Sequence, residues 1–213
     1  MTTIAIHQPN FFPWVGFFDK IVNCDVFVFM DDVQYSTGTM TNRTYMIDQV
    51  GKYYVTCPVS YNHPTKIKDV LIANVAWKQK LIRTIKYKYD ESNIRRKIIG
   101  IIQNDELNLC NYNIFNIYEL CDVMGITPRK FCMRQSHLTE FKSKNTNLII
   151  DIIKYLGGDT YYTGVGAKLY LDEQKVKEAG IQIQYQDITG FPPTSIIDVL
   201  LTKGIAGTKE LFH

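Results

Sequence analysis

The sequence predicts an α/β fold: a mainly parallel open sheet of Rossmann-like type with helices on both faces, carrying a small antiparallel excursion and a helical insertion. Three observations predict it. Apolar runs of strand length alternate with helix-length stretches along most of the 213 residues, and that alternation implies a parallel sheet covered on both sides. The helix-like stretches repeatedly stop at glycine, the residue that closes helices in the left-handed conformation. An apolar content of 46% against 21% charged residues is enough for a full core in one domain spanning 1–213.

Taken in order, the strand candidates are Thr3 to Ile6, Val26 to Met30, Tyr53 to Val59, Lys130 to Met133, Thr160 to Thr163 and Ile181 to Tyr185. Each has about the length of a strand. The first helix fits Gly16 to Asn23, with Val15, Phe18, Ile21 and Val22 roughly on one face. Val75 to Tyr89, Ile94 to Asn104 and Tyr112 to Met124 read as the helical insertion of about 75–125. Asn145 to Leu156, Leu171 to Ala179 and about Ser195 to Lys203 complete the helices, each running into glycine. The segment of about 36–72 breaks the rhythm with Thr, Gly, Tyr and Asn, and is expected to form the antiparallel excursion, placed so that it could act as a lid.

Several classes are disfavoured. A formal charge of +3 is too small to require nucleic acid, though it leaves room for phosphate-bearing partners. Five cysteines, Cys24, Cys57, Cys110, Cys121 and Cys132, form no C-x-x-C pair, so neither a zinc site nor a full disulfide framework is indicated and reduced, mostly buried thiols are expected. No activating neighbour is visible beside Cys24 or Cys57, which argues against a covalent acyl-enzyme. The amino terminus lacks a basic region followed by an apolar core, and no apolar run reaches membrane-spanning length. A cytoplasmic protein without a metal site is expected.

The candidate site comes from the residues just past the carboxyl end of each strand. After Ile4-Ala5-Ile6 the chain enters His7-Gln8-Pro9-Asn10-Phe11-Phe12-Pro13-Trp14. Two prolines stiffen this loop, so it can hold polar and aromatic side chains at a strand end, where α/β proteins keep their chemistry. After the second strand come Asp31, Asp32 and Gln34; after the fourth, Arg134, Ser136 and His137; after the fifth, Thr163-Gly164-Val165-Gly166; after the last, Asp187. Carboxyl ends of parallel strands point the same way, so these residues can converge on one crevice.

Each group has a chemical and an architectural reading. His7 can serve as a general base or bind phosphate or carboxylate, or it can merely tie loop to strand. Asp31 and Asp32 point to opposite sides, so one can face the crevice, holding Mg²⁺, an amine or His7, while the other caps a turn. Asn42 and Arg43 lie in the excursion, where the guanidinium can grip an oxyanion or simply face solvent. Gly164 and Gly166 resemble a phosphate cradle but lack the spacing of established phosphate loops. Eight basic residues between Trp77 and Lys97 could meet an anionic partner, although such runs are more often the wet face of amphipathic helices.

The segments HQPNFFPWVGFFDKI, DVFVFMDDVQYS, Asn42-Arg43, YYTGVGAKLYLDEQKVKEAGIQIQYQDI and FPPTSIIDVLLTKG resemble, in that order, the WbqC-like family over nearly the whole chain. The resemblance implies a bacterial protein associated with surface polysaccharide (O-antigen) synthesis. It implies transfer of an acyl or aminoacyl group, glycine among them, to a nucleotide-linked or lipid-linked amino sugar. Departures are Thr41 before Asn-Arg, Ser136-His137 where paired serines are common, and a short connection from Asp187 to Phe191. They suggest an altered acceptor pocket.

For that chemistry the expected roles are His7 as base, Asp31 or Asp32 orienting it, and Gln8 with backbone N–H groups near Gly164 stabilising an oxyanion. Arg43 and the basic helix would hold phosphates, and Trp14 and Trp77 would stack on a sugar or base. Asn10, Gln34, Asn42, Gly166 and Asp187 complete the expected substrate contacts. The acyl donor would be a thioester or aminoacyl-tRNA. Alternatives are a ligase using ATP with Mg²⁺ to form an acyl-adenylate, and a protein that binds a sugar nucleotide without turnover.

Overall fold

The computed structural model describes residues 1–126 and 131–212, except for the side chain of Phe131. The expected strand start at Lys130 lies outside them. The elements are β1 (Thr3–His7), α1 (Val15–Asn23), β2 (Val26–Phe29), β3 (Arg43–Ile47), β4 (Lys52–Thr56), β5 (Val59–Ser60), β6 (Leu71–Ile72) and α2 (Ala76–Lys88). They continue with α3 (Asn93–Ile102), α4 (Leu109–Met124), β7 (Phe131–Arg134), α5 (Asn145–Tyr155), β8 (Thr160–Thr163), α6 (Glu173–Glu178), β9 (Gln182–Tyr185) and α7 (Ile196–Lys209). The chain divides into two compact units.

The first unit holds Met1–Gln8, Gly16–Met30 and the described part of Thr127–Thr189. Its five strands are parallel and lie in the order β7-β2-β1-β8-β9. All four residues of β2 and all four of β8 are buried. Successive side chains on a strand point to opposite faces, so both faces of this sheet are covered. The α/β expectation holds in that respect. Apolar residues of α1 supply part of the cover, with Phe17 packed on Phe27 at 5.2 Å between ring centroids.

The amino-terminal edge of the sheet is tied off by carboxylates: Asp25 accepts from the Thr3 amide at 2.9 Å and Asp159 from the Thr2 amide at 3.2 Å. Close packing reaches this edge too. A Cβ built on Gly158 would collide with Ile4 Cγ1 and lie 3.1 Å from Ile153 Cγ2. Gly158→Ala is therefore expected to destabilise the protein by about 1–3 kcal/mol, as overpacking does. Urea unfolding is the check, and an unchanged midpoint would mean that this edge yields freely.

The second unit holds Pro9–Val15, Asp31–Ile126 and Gly190–His213. Its helices α2, α3, α4 and α7 accompany two antiparallel pairs, β3 with β4 and β5 with β6. Both pairs fall inside the expected excursion of about 36–72. Tyr53 to Val59 is not one strand, however. Pro58 cannot donate to a ladder, and the run breaks into β4 and β5 with different partners.

The loop carrying Pro9 to Trp14 belongs to this unit and is held at every step. Asn113, fully buried on α4, donates to the carbonyls of Pro9 (2.8 Å) and Thr41 (2.7 Å). The Phe11 amide donates to Met40, the Phe12 carbonyl accepts from Thr44 and Ser195, and the Ile196 amide donates to Pro13. Rigidity thus comes from hydrogen bonds to α4, β3 and the start of α7 as well as from the prolines. Phe11 and Phe12 form an aromatic core with Trp77 and Tyr112.

Candidate functional site

In the first unit the sheet order identifies the place where a ligand fits. β1, β2 and β7 progress to one side of β1, and the chain then returns to add β8 and β9 on the other. Order reverses between β1 and β8, and open α/β sheets bind ligands outside the carboxyl ends of strands at such a switch point. β1 pairs with β2 as far as His7, but with β8 only at Thr3 and Ile4. Beyond Ile4 the β1–β8 ladder stops, and the two carboxyl ends that bound the gap are His7 and Thr163-Gly164.

His7 lies deep among protein atoms yet keeps intermediate solvent exposure, as a residue on the floor of a crevice does. Its ring packs edge-on against Phe17, 5.0 Å between centroids. Nδ1 lies 3.0 Å from the Gln8 carbonyl oxygen. A carbonyl only accepts, so Nδ1 carries the proton and, in the neutral ring, Nε2 keeps its lone pair. Desolvation first, and the charge of Lys20 second, push the imidazole pKa down from 6.5 to about 3. The ring is neutral at physiological pH. Burial thus keeps the imidazole from titrating near neutrality, and Nδ1 is held by the Gln8 carbonyl where Asp31 or Asp32 was expected to orient the ring.

Lys20 on α1 is the residue that sequence reasoning missed. It is 6% exposed, and burial lowers its pKa from 10.5 to about 8, opposed by the nearby Asp19 charge. Its ammonium reaches the loop after β8: a Cβ on Gly164 would lie 3.7 Å from Lys20 Nζ and 3.4 Å from Gln186 Oε1. A glycine there leaves room for both groups. Asp19, 1% exposed, accepts from Tyr162 Oη (2.9 Å), Gln186 Nε2 (2.6 Å) and Asn23 Nδ2 (2.8 Å). The available signal was an Asp-Lys pair inside an otherwise apolar helix, which α1 buries nearly all round.

The other expected residues of this unit play lesser parts. Gln8 supplies the carbonyl that holds His7. Gly166 faces open space, and Asp187 accepts from the Thr189 amide at 2.9 Å, turning the chain after β9. Cys24 lies in the core with its thiol pushed up to about 12 by burial, so it is no nucleophile.

Eight expected site residues belong to the second unit. Asp32 is paired with Lys66 at 2.9 Å and Lys68 at 2.6 Å, two partners that hold its carboxyl below the usual range against the cost of partial burial. Asp31 is fully buried, with the Cys110 thiol 4.0 Å away. Gln34 meets His63 at 2.9 Å. Asn42 donates to the Cys57 carbonyl at 2.9 Å. Arg43 bonds the Gly38 carbonyl and lies over the Tyr54 ring at 4.2 Å, tied to its own hairpin. Trp77 is 8% exposed and packs on Phe11 and Tyr112, a core residue rather than a stacking platform.

Asn10 and Trp14 do line an opening, a cleft of about 240 Å³ shared with Tyr45, Lys52 and Pro193. Part of the basic stretch is spent on structure. Lys88 pairs with Asp198 at 2.7 Å, and Arg95 and Arg96 pair with Glu91. Among the described residues no cluster of three or more His, Cys, Asp and Glu could hold a metal ion, and no helix is long and apolar enough to cross a membrane.

A five-stranded parallel sheet whose order reverses between β1 and β8, with His7 and Lys20 close to that reversal, defines a doubly wound α/β protein. The chain belongs to the WbqC-like protein family, whose model matches residues 8–210. It is also similar to the uncharacterized protein Rv1507c of Mycobacterium tuberculosis, 26% identical over 224 residues that cover 96% of this chain and 95% of that one. No solved structure matches.

Proposed function

We propose that this protein transfers an acyl or aminoacyl group, glycine being the first candidate, to an amino sugar destined for a bacterial surface polysaccharide. The observation that carries this reading is the His7 lone pair at the switch point. An amine nucleophile needs an acceptor for its N–H as it attacks, and Nε2 of a neutral imidazole, fixed through Nδ1, is such an acceptor. The family resemblance supplies the substrate class.

The test is mass spectrometry of reactions containing the purified protein, UDP- and dTDP-amino sugars, and glycine. One set carries ATP with Mg²⁺ and another carries preformed thioester or aminoacyl-tRNA donors. A sugar nucleotide heavier by one acyl unit in the donor set is the expected result. Product only with ATP, accompanied by pyrophosphate, would replace the transferase reading with a ligase. Saturable binding of the sugar nucleotide without product in any set would replace it with a binding protein or a lipid-linked acceptor.

A further inference from the structure

We infer that the ammonium of Lys20 is an oxyanion receptor, and that the crevice takes its substrate by a phosphate or carboxylate group seated between Lys20, His7 and the Gly164 turn. Two independent observations lead there. Lys20 is 6% exposed; among the described residues its Nζ makes no hydrogen bond and no ion pair within 4 Å, and what hydration it keeps comes through that small opening. A buried charge is normally paired, because an unpaired one forfeits its hydration without compensation. Its placement is the second observation. Nζ lies against the turn after β8, at the strand ends where the sheet order reverses.

Lys20 and Asp19 balance in charge, but among the described residues no carboxylate oxygen sits on the ammonium itself. From α1 come Asp19, whose oxygens already accept from Tyr162, Gln186 and Asn23, and Cys24, whose raised pKa keeps its thiol neutral. From β1 comes His7, neutral and unable to compensate a cation. From the β8 side come Tyr162, its phenol kept protonated by burial and Asp19, and Gly164, which contributes no side chain. Beyond β9, Gln186 presents an uncharged amide. Among the described residues Asp19 thus offsets the Lys20 charge from a distance, its oxygens being occupied by neutral donors. His7, close enough for the Lys20 charge to lower its pKa, adds an acceptor at Nε2. The pair thus suits an oxyanion that carries a hydroxyl, amine or acidic proton next to it.

Binding should weaken as Lys20 deprotonates. With a free pKa of about 8, affinity for the anion should fall roughly thirtyfold between about pH 7 and about pH 9.5, following the fraction protonated. The proposal rests on the crevice being the reaction site, but its readout requires no turnover.

The experiment is NMR of the full chain labelled with ¹³C-lysine, titrated separately with inorganic phosphate and with acetate. The Lys20 ε-methylene signal is assigned by its disappearance in Lys20→Met. A saturable shift with phosphate identifies a phosphoryl ligand and one with acetate a carboxylate ligand; either supports the proposal when it weakens with pH as stated. No saturable shift with either probe in the millimolar range overturns it. Lys20→Arg keeps the cation, so it should retain binding and lose the decline at high pH, which keeps the test valid if Lys20→Met folds poorly. Anion binding without acyl product would remove the transferase reading alone. Acyl product formed with unchanged KM by Lys20→Met would remove the receptor alone.

Discussion

Replacement of His7 by alanine is expected to lower group transfer by about 10²-fold, the lower end for a positioned proton acceptor because burial makes this imidazole a weak base, while the five-stranded sheet remains folded. The ring is partly exposed and makes one hydrogen bond, to Gln8, so its removal leaves no large void and no orphaned donor. Full retained activity would eliminate His7 as the acceptor. His7→Gln refines the test: an amide oxygen can accept an N–H but cannot take the proton away. Recovery with glutamine would assign His7 to positioning, and continued loss would assign it to proton transfer.

The same variant carries a signature that needs no assay. The imidazole has a folded pKa of about 3 against 6.5 when exposed, so the unfolded chain binds the extra proton between those values. Its contribution to stability is intact above about pH 6.5 and is lost as pH falls toward 3. His7→Ala should therefore unfold less steeply in acid than the parent protein. Equal acid sensitivity in urea titrations would show that the ring is better solvated than its surroundings suggest.

What the sequence discloses and what it conceals separate along physical lines. The apolar runs at Thr3, Val26 and Thr160 became β1, β2 and β8, because a strand buried on both faces leaves a continuous apolar signal, while the edge strand β9 showed as Ile183 and Tyr185 alternating with exposed glutamines. β3 was hidden by its half-exposed pattern, in which Arg43 and Tyr45 alternate with buried Thr44 and Met46. Helix α7 breaks where expected: Gly204 takes φ 69° and ψ −178°, outside helical values, and a second helical segment follows it. In the site, His7 and Gly164 were legible as strand ends. Lys20 was not, because helical periodicity assigns charged positions to the solvent face, whereas α1 is buried nearly all round. Asp32 and Trp77 misled for the opposite reason. Their partners Lys66, Lys68 and Tyr112 lie more than thirty residues away in sequence.

Asp19→Asn is expected to cost about 3–5 kcal/mol at neutral pH, the range for removing one charge from a buried ionic arrangement. Asp19 is 1% exposed and accepts three hydrogen bonds, from Tyr162, Gln186 and Asn23. An amide has one oxygen, so at least one donor would meet an N–H and lose its acceptor. Lys20 would lose the anion that opposes its desolvation. Its folded pKa, already near 8 against 10.5 when exposed, would fall further. The unfolded chain holds more protons between the folded and unfolded values, so stability rises with pH through that interval. The deficit of Asp19→Asn should accordingly be largest well below about pH 8 and shrink as pH rises to about 8–9, where folded Lys20 is neutral in both proteins. Combining Asp19→Asn with Lys20→Met should recover part of the loss, because the second change removes the uncompensated charge. A deficit independent of pH, or strict additivity of the two substitutions, would show that Asp19 serves only its hydrogen bonds and that the Lys20 ammonium is stabilised by other means.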